Sequence, residues 1–196
     1  RNGKPEILIR EIEPRLKEWA RRAHARDGEP ALSPTERLRI CFAIGATSWD
    51  EEKTLERYEL LYEAGLMAEA ARDGRDAATL WDGLPSLGRP MRHDHRRILA
   101  TAMGRLRAKL KYRPVIFELM PDAFTLFELQ KMVEAIFGAH LHKQNFRRLV
   151  ENAGLVEPTG DVSTATGGRP AKCYRFRREV LLERPAPGVR VKAGRG

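Results

Sequence analysis

The chain has 196 residues, 42% of them hydrophobic and 7% aromatic, enough for one substantial domain or two small ones. No run approaches the roughly 18 apolar residues of a membrane span, and two distant cysteines, Cys41 and Cys173, read as reduced thiols and not as a disulfide framework. The net charge of +9 is lopsided: residues 1–88 hold 14 Lys+Arg against 17 Asp+Glu, whereas residues 89–196 hold 22 against 10. A basic C-terminal half points to an anionic partner, most often nucleic acid; a merely soluble basic surface is the bland alternative.

In chain order, Ile7, Ile9, Ile12, Leu16, Trp19 and Ala23 recur near helical spacing and predict a helix over 5–27, stopped by Asp27–Gly28. Ser33-Pro34-Thr35-Glu36 combines an N-cap serine, a proline at the first helical position and a capping-box glutamate. The helix it opens should bury Leu38, Ile40, Phe42 and Ala43. Asp50 can cap a third helix running through Leu55, Tyr58, Leu61 and Tyr62 to Gly65, and "LMAEAARDG" makes a short fourth. The segment 74–92, with "DGLP" and "SLGRP" and no clear period, reads as loop and linker.

The second half has a different order. His93–Lys111 predicts a helix with Ile98, Leu99, Ala102, Met103, Leu106 and Leu110 on its buried face and arginines on the other. "RPVIFEL", 113–119, alternates as a short strand would. Thr125-Leu126-Phe127-Glu128 is a second capping box, opening a helix that buries Leu126, Leu129, Met132, Val133 and Ile136 and stops at Gly138. A short turn leads to "LHKQNFRRLVENAGL", with Phe146, Leu149 and Val150 inward. Strands at Leu155–Glu157 and Lys172–Phe176 follow, separated by the flexible "TGDVSTATGGRPA". Helix, strand, helix, turn, helix, strand, loop, strand is the order of a winged helix-turn-helix. The fold class is therefore mostly α with a small β component: a helical coupling region followed by a winged helix-turn-helix domain.

In such a motif the second helix lies in the major groove with its N-terminal residues at base edges. Lys143, Gln144, Asn145, Arg147 and Arg148 supply the donors this needs: arginine and lysine match guanine O6 and N7, and amides match adenine N6 and N7. Thr164, Thr166, Arg169 and Lys172 sit where a wing grips phosphate or the minor groove. Thr125, at the head of the preceding helix, joins the expected DNA contacts.

The stretch "FTLFELQKMVEAIFG…LHKQNFRRLVENAGLVEPTG…GGRPAKCYRF" resembles the C-terminal winged-helix domain of the Nudix-related, NrtR-like transcriptional regulators of NAD metabolism. "DHRRILATAMGRLRAKLKYRPVIFELMP" resembles the same family's linker, and "SPTERLRICFAIGATSWDEEKTLERYELLYEAGL" is most similar to the alphaproteobacterial, NadQ-type branch. The resemblance implies a cytoplasmic repressor on palindromic double-stranded operators of NAD-synthesis genes. Because one winged helix buries too little for tight specific binding, and two-fold operators match two-fold proteins, a homodimer is expected. The resemblance also implies a Nudix-like sensor for a nucleotide effector such as NAD, ATP or ADP-ribose, with no cofactor required. The Nudix catalytic box is not in evidence. "ELLYEAGL" aligns Glu59, Glu63, Gly65 and Leu66 with the tail of the box, but Tyr58 and Tyr62 stand where an arginine and a metal-binding carboxylate belong. Arg1 rather than methionine opens the chain, and the Nudix body is expected before it.

"HDH" at 93–95 and "HLH" at 140–142 lack a full ligand set, so Asp94 reads as a helix N-cap. Residues 1–88 are thus expected to couple and dimerise, 89–182 to bind DNA, and 183–196 to form a flexible basic tail. A non-enzymatic regulator is the leading reading. A nucleotide-pyrophosphate hydrolase with an accessory DNA-binding domain, or a winged helix that binds protein, are the alternatives.

Overall fold

A computed structural model of the chain describes residues 5–23, 32–45, 48–83, 87–164, 170–183 and 188–189. The chain divides into two compact units, one over residues 3–104 and one over 105–196. Their elements are α1 (Glu13–Arg22), α2 (Pro34–Phe42), α3 (Thr54–Glu63), α4 (Ala68–Arg72), α5 (His95–Leu110), β1 (Phe124–Thr125), α6 (Leu126–Phe137), α7 (Lys143–Ala153), β2 (Val156–Ser163), β3 (Ala171–Phe176) and α8 (Val180–Glu183).

In the first unit, Leu8, Ile12, Leu16 and Trp19 fall on one face and pack with Leu38, Cys41, Phe42, Leu60, Ala64 and Leu66. The helix widens to π-type turns over Leu8–Ile12, where the Glu13 amide reaches back to the Leu8 carbonyl. Pro14 is the reason: it has no N–H, and its ring crowds the carbonyl four residues back. The helix ends at Arg22, earlier than expected; Asp27–Gly28 lie outside the described residues. Both arms of the Ser33/Glu36 capping box form. On α2, Cys41 takes the buried position expected of Ile40, which is 36% exposed. Ala43 closes α2 in the left-handed region (φ 52°) and is half-buried.

Buried Arg57 ties α3 to its surroundings. Its Nε donates to the Cys41 carbonyl at 2.7 Å, a terminal nitrogen donates to the Asp50 carbonyl, and the Trp49 ring lies 3.7 Å away. Asp50 accepts from the Glu52 amide and shapes the turn before α3; Lys53 holds the N-cap position. The expected linker 74–92 is not loose. Asp76–Leu80 forms a 3₁₀ turn, the Trp81 indole donates to the Ala64 carbonyl at 2.7 Å, and buried Glu69 accepts from the Met91 amide and Arg96. A buried carboxylate resists ionisation, but here the bonds from Arg96 and the Met91 amide outweigh that penalty and hold Glu69 below its usual range.

The face of α5 differs most from expectation. Ala100 is buried, and Gly104 leaves only 3.0 Å between an added Cβ and the Glu52 carbonyl. Small residues at i and i+4 let the backbone approach closely. Of the expected apolar stripe only Leu110 is buried; Ile98 is 62% and Leu99 49% exposed.

In the second unit α6 packs against a three-stranded antiparallel sheet in the order β1-β3-β2, and α7 packs on α6. Phe124 pairs with Tyr174, and Thr125 with Cys173. The strand expected at 113–119 is a 3₁₀ turn, Val115–Leu119, with Ile116 fully buried. The Phe117 amide bonds back to the Pro114 carbonyl, and the Phe117 ring stacks on Phe176 at 4.4 Å. The short β1 provides the pairing instead. The wing is longer than read: β2 runs to Ser163 through an irregularity between Pro158 and Val162, where Gly160 adopts φ 91°. Gly188 and Val189, placed by the sequence in a flexible tail, are fixed: Val189 is 1% exposed and its amide donates to the Leu110 carbonyl at 2.9 Å.

At Gly65 (φ 72°) an added Cβ would meet the Ala77–Ala78 backbone at 2.3 Å. Gly65→Ala should therefore lower stability by roughly 2–4 kcal/mol, combining a left-handed penalty with a backbone clash. Urea unfolding at constant m would measure it.

Candidate nucleic-acid interface

The site is built on α7. At about 100° per residue, Phe146, Leu149 and Val150 fall on one face, and Phe146 and Val150 are buried with Leu149 half-buried. Gln144 and Arg148 occupy the centre of the opposite face, Lys143 and Arg147 share one edge, and Asn145 lies on the other. All five are exposed, and among the described residues none of the three cations has an ion-pair partner. Uncompensated charge on one helix face is a standing attraction for anions. No side chain caps the first turn of α7, so its leading amides add to the positive end.

The turn before α7 is held by two polar side chains of α6. Gln130 Nε2 donates to the Leu141 carbonyl at 2.9 Å and to Glu134 Oε1 at 3.0 Å, while the Leu141 amide donates to that same Oε1 at 2.9 Å. Both backbone groups of Leu141 are thus satisfied from α6. Lys131 and His140 each lie 3.7 Å from Glu134 Oε2. Burial resists ionisation of Glu134, but the Leu141 and Gln130 hydrogen bonds prevail, with smaller help from Lys131 and His140, and lower its pKa. The turn begins at Gly138 (φ 70°), and Arg107 Nε donates to the Ile136 carbonyl at 2.7 Å. The only sequence signal for this arrangement is a polar pair at i and i+4 just ahead of the glycine that ends α6.

Thr125 heads α6. It is 3% exposed, its hydroxyl accepts from the Glu128 amide and donates to Glu128 Oε2, and it caps α6 without facing solvent. In the wing, Thr164 and Lys172 are exposed. Thr166 and Arg169 lie outside the described residues. Arg175 pairs across the strands with Glu157 at 2.6 Å.

The tempting acids of "ELLYEAGL" are engaged. Glu63 makes a two-pronged bond with Arg37 at 2.7 and 2.8 Å, and Glu59 pairs with Arg97 at 2.7 Å. Among the described residues no group of three or more His, Cys, Asp or Glu is placed to hold a metal ion, and no helix is long and apolar enough to cross a membrane.

Two helices joined by a clasped turn, followed by a β-hairpin pinned to a short first strand, define a winged helix domain. Residues 116–176 match the family model of the NrtR DNA-binding winged helix domain, in line with the resemblance read from the sequence. The ADPR responsive transcriptional repressor NtrR of Acinetobacter baylyi is 46% identical over 83 residues, covering 42% of this chain and 33% of that protein. The chain thus spans a third of the length of this curated relative. The crystal structure of Shewanella oneidensis NrtR complexed with a 27mer DNA is 34% identical, with a TM-score of 0.42, covering 49% of this chain and 43% of that one. The structure of the same protein described without DNA gives 34% and 0.40, covering 47% and 42%.

Glu134→Ala strands the Leu141 amide and should cost about 1–3 kcal/mol, while Glu134→Gln, which keeps an acceptor, should cost less. A carboxylate with a lowered folded-state pKa stabilises above its unfolded value, and this contribution disappears as pH falls through the folded value. The stability gap between parent and Glu134→Gln should therefore be widest at neutral pH and narrow on acidification below the ordinary carboxylate range. Chemical unfolding from pH 7 to pH 3 would show it.

Proposed function

We propose that this chain carries the DNA-reading part of a sequence-specific transcriptional regulator, a repressor of NAD-biosynthesis genes that acts as a cytoplasmic homodimer on palindromic operators. The observation that carries the reading is α7: five exposed donors on the face opposite its core contacts, with three unpaired cations, on a turn fixed by Gln130 and Glu134. Gln144, Asn145 and Arg148 read base edges, while Lys143 and Arg147, along one edge of the helix, take phosphates. Thr164, Thr166, Arg169 and Lys172 serve the wing. The match of residues 116–176 to a DNA-binding domain family supports this assignment.

The same proposal assigns residues 1–88 to coupling and dimerisation and 89–182 to DNA binding, with no enzymatic activity in the chain. The effector is a nucleotide, NAD, ATP or ADP-ribose, sensed by an upstream Nudix-like domain. That a relative is named ADPR responsive favours ADP-ribose.

The test begins by selecting preferred duplexes from a random pool, then measures parent, Asn145→Ala and Arg148→Ala on selected and scrambled DNA over a salt series. Each variant should lose about 1–3 kcal/mol on the selected duplex and relax preference at one position, and Lys172→Ala should weaken all sequences alike and lower the salt slope by about 1. Retention of parental affinity and preference by both folded α7 variants would remove that helix as the reader.

A further inference from the structure

The 3₁₀ turn Val115–Leu119 forms one wall of a cavity of about 630 Å³ whose described lining residues all belong to the second unit. A volume of this size is ordinary for a small-molecule site. Its aromatic side is made by Phe117, stacked on Phe176 at 4.4 Å and 5.8 Å from the ring of Phe124. This side is held from behind: Ile116 and Val180 are fully buried, and the Arg177 amide donates to the Leu155 carbonyl at 3.0 Å. Leu181, 50% exposed, adds apolar surface from α8. Four charged residues line the same cavity: Arg113, Glu118 and Asp122 from the segment around the turn, and Arg178 from the link to α8. Among the described residues none of these four has a side-chain hydrogen bond or an ion pair, with each other or with any neighbour. Arg175, which also lines the cavity, is already engaged by Glu157 at 2.6 Å.

Opposite charges that share a cavity but stand too far apart to pair suit a ligand that carries both signs. We infer that this cavity takes a small aromatic zwitterion, of the aromatic α-amino acid class. The ligand's ring lies against Phe117 and Phe176, beside Leu181, in the offset or edge-to-face manner of aromatic pairs. Its carboxylate goes to the guanidinium groups of Arg113 and Arg178, whose flat donor forks match carboxylate geometry. Its ammonium goes to Glu118 and Asp122. Nucleic acid fits the cavity poorly, because a phosphate chain brings no cation for the two carboxylates and is repelled by them. The cavity also lies at the root of the hairpin: Phe176 pairs with Val156, at the end of β3 away from the Ser163–Ala171 pair. A plain hydrophobe would leave all four charges unanswered. The inference goes beyond DNA reading and does not rest on it.

The experiment titrates the 196-residue chain with L-phenylalanine and follows the backbone amides by NMR. Saturable shifts should centre on Phe117 and Phe176, with a Kd of about 0.1–1 mM, ordinary for a ligand this small. Three further probes each lack one part: phenylpropionate the ammonium, phenylethylamine the carboxylate, and L-alanine the ring. The first two should bind about fivefold more weakly, and alanine not measurably. The four charged residues are exposed, so they can be neutralised without disturbing the core. Arg113→Gln with Arg178→Gln should weaken L-phenylalanine about fivefold without weakening phenylethylamine. Glu118→Gln with Asp122→Asn should do the same to L-phenylalanine without weakening phenylpropionate. The absence of saturable shifts at Phe117 and Phe176 up to about 10 mM, well above the expected range, overturns the site. Equal binding of L-phenylalanine and phenylpropionate, or parental binding of L-phenylalanine by both neutralised variants, overturns the assignment of a zwitterion.

Discussion

Everything that α7 offers to a ligand depends on two hydrogen bonds to the backbone of one residue. Leu141 stands between α6 and α7, and its amide and carbonyl are both answered from α6, by Glu134 and Gln130. A turn of this length has too few residues to fix its own geometry. Left to water, its ends would sample many directions, and the side chains of α7 would sample them too. Binding a groove would then require ordering the turn, at the expense of affinity. Because the clasp is made by side chains anchored on α6, the helix is aimed before any partner arrives.

The charge on Glu134 makes that arrangement firm. An ionised acceptor forms stronger hydrogen bonds than a neutral one, and the nearby Lys131 and His140 favour the ionised form. A fully buried carboxylate without such company would protonate instead. The outer face of α7 shows the reverse condition, with cations left unpaired within the chain. One polar group is fully used in setting geometry, and a set of others is left unused at the surface. That division distinguishes a scaffold from a binding face.

Much of this was legible in the sequence. Both capping boxes formed as read, because Ser33/Glu36 and Thr125/Glu128 are local and need no tertiary partner. The order of elements from Thr125 to Phe176 held for the same reason: strong periodicity between glycines that stop helices at Gly138 and Gly154. Errors arose where tertiary contacts decide. Residues 113–119 alternate like a strand, yet Pro114 favours a turn and the Phe117–Phe176 stack secures it. On α5 the sequence ranks residues by hydropathy, whereas packing selects the face with Ala100 and Gly104, where the backbone approaches closely. Thr125 stands at the head of α6 as read, and its hydroxyl serves its own capping box. The donors on α7 were readable because five polar residues interrupt a helix with a clear apolar side. Their support by Gln130 and Glu134 was not, since long-range hydrogen bonds leave no period.

Val189 gives the second unit a particular order of assembly. Its buried side chain and its bond to Leu110 close the core at the base of α5 with residues from far along the chain. Between them lie α6, α7, the wing and α8. During synthesis, which proceeds from the N-terminus, all of these emerge while that corner of the core is still unfilled. Native packing around Leu110 therefore waits until residue 189 has left the ribosome, and a chain stalled upstream of it exposes an apolar gap to chaperones and proteases.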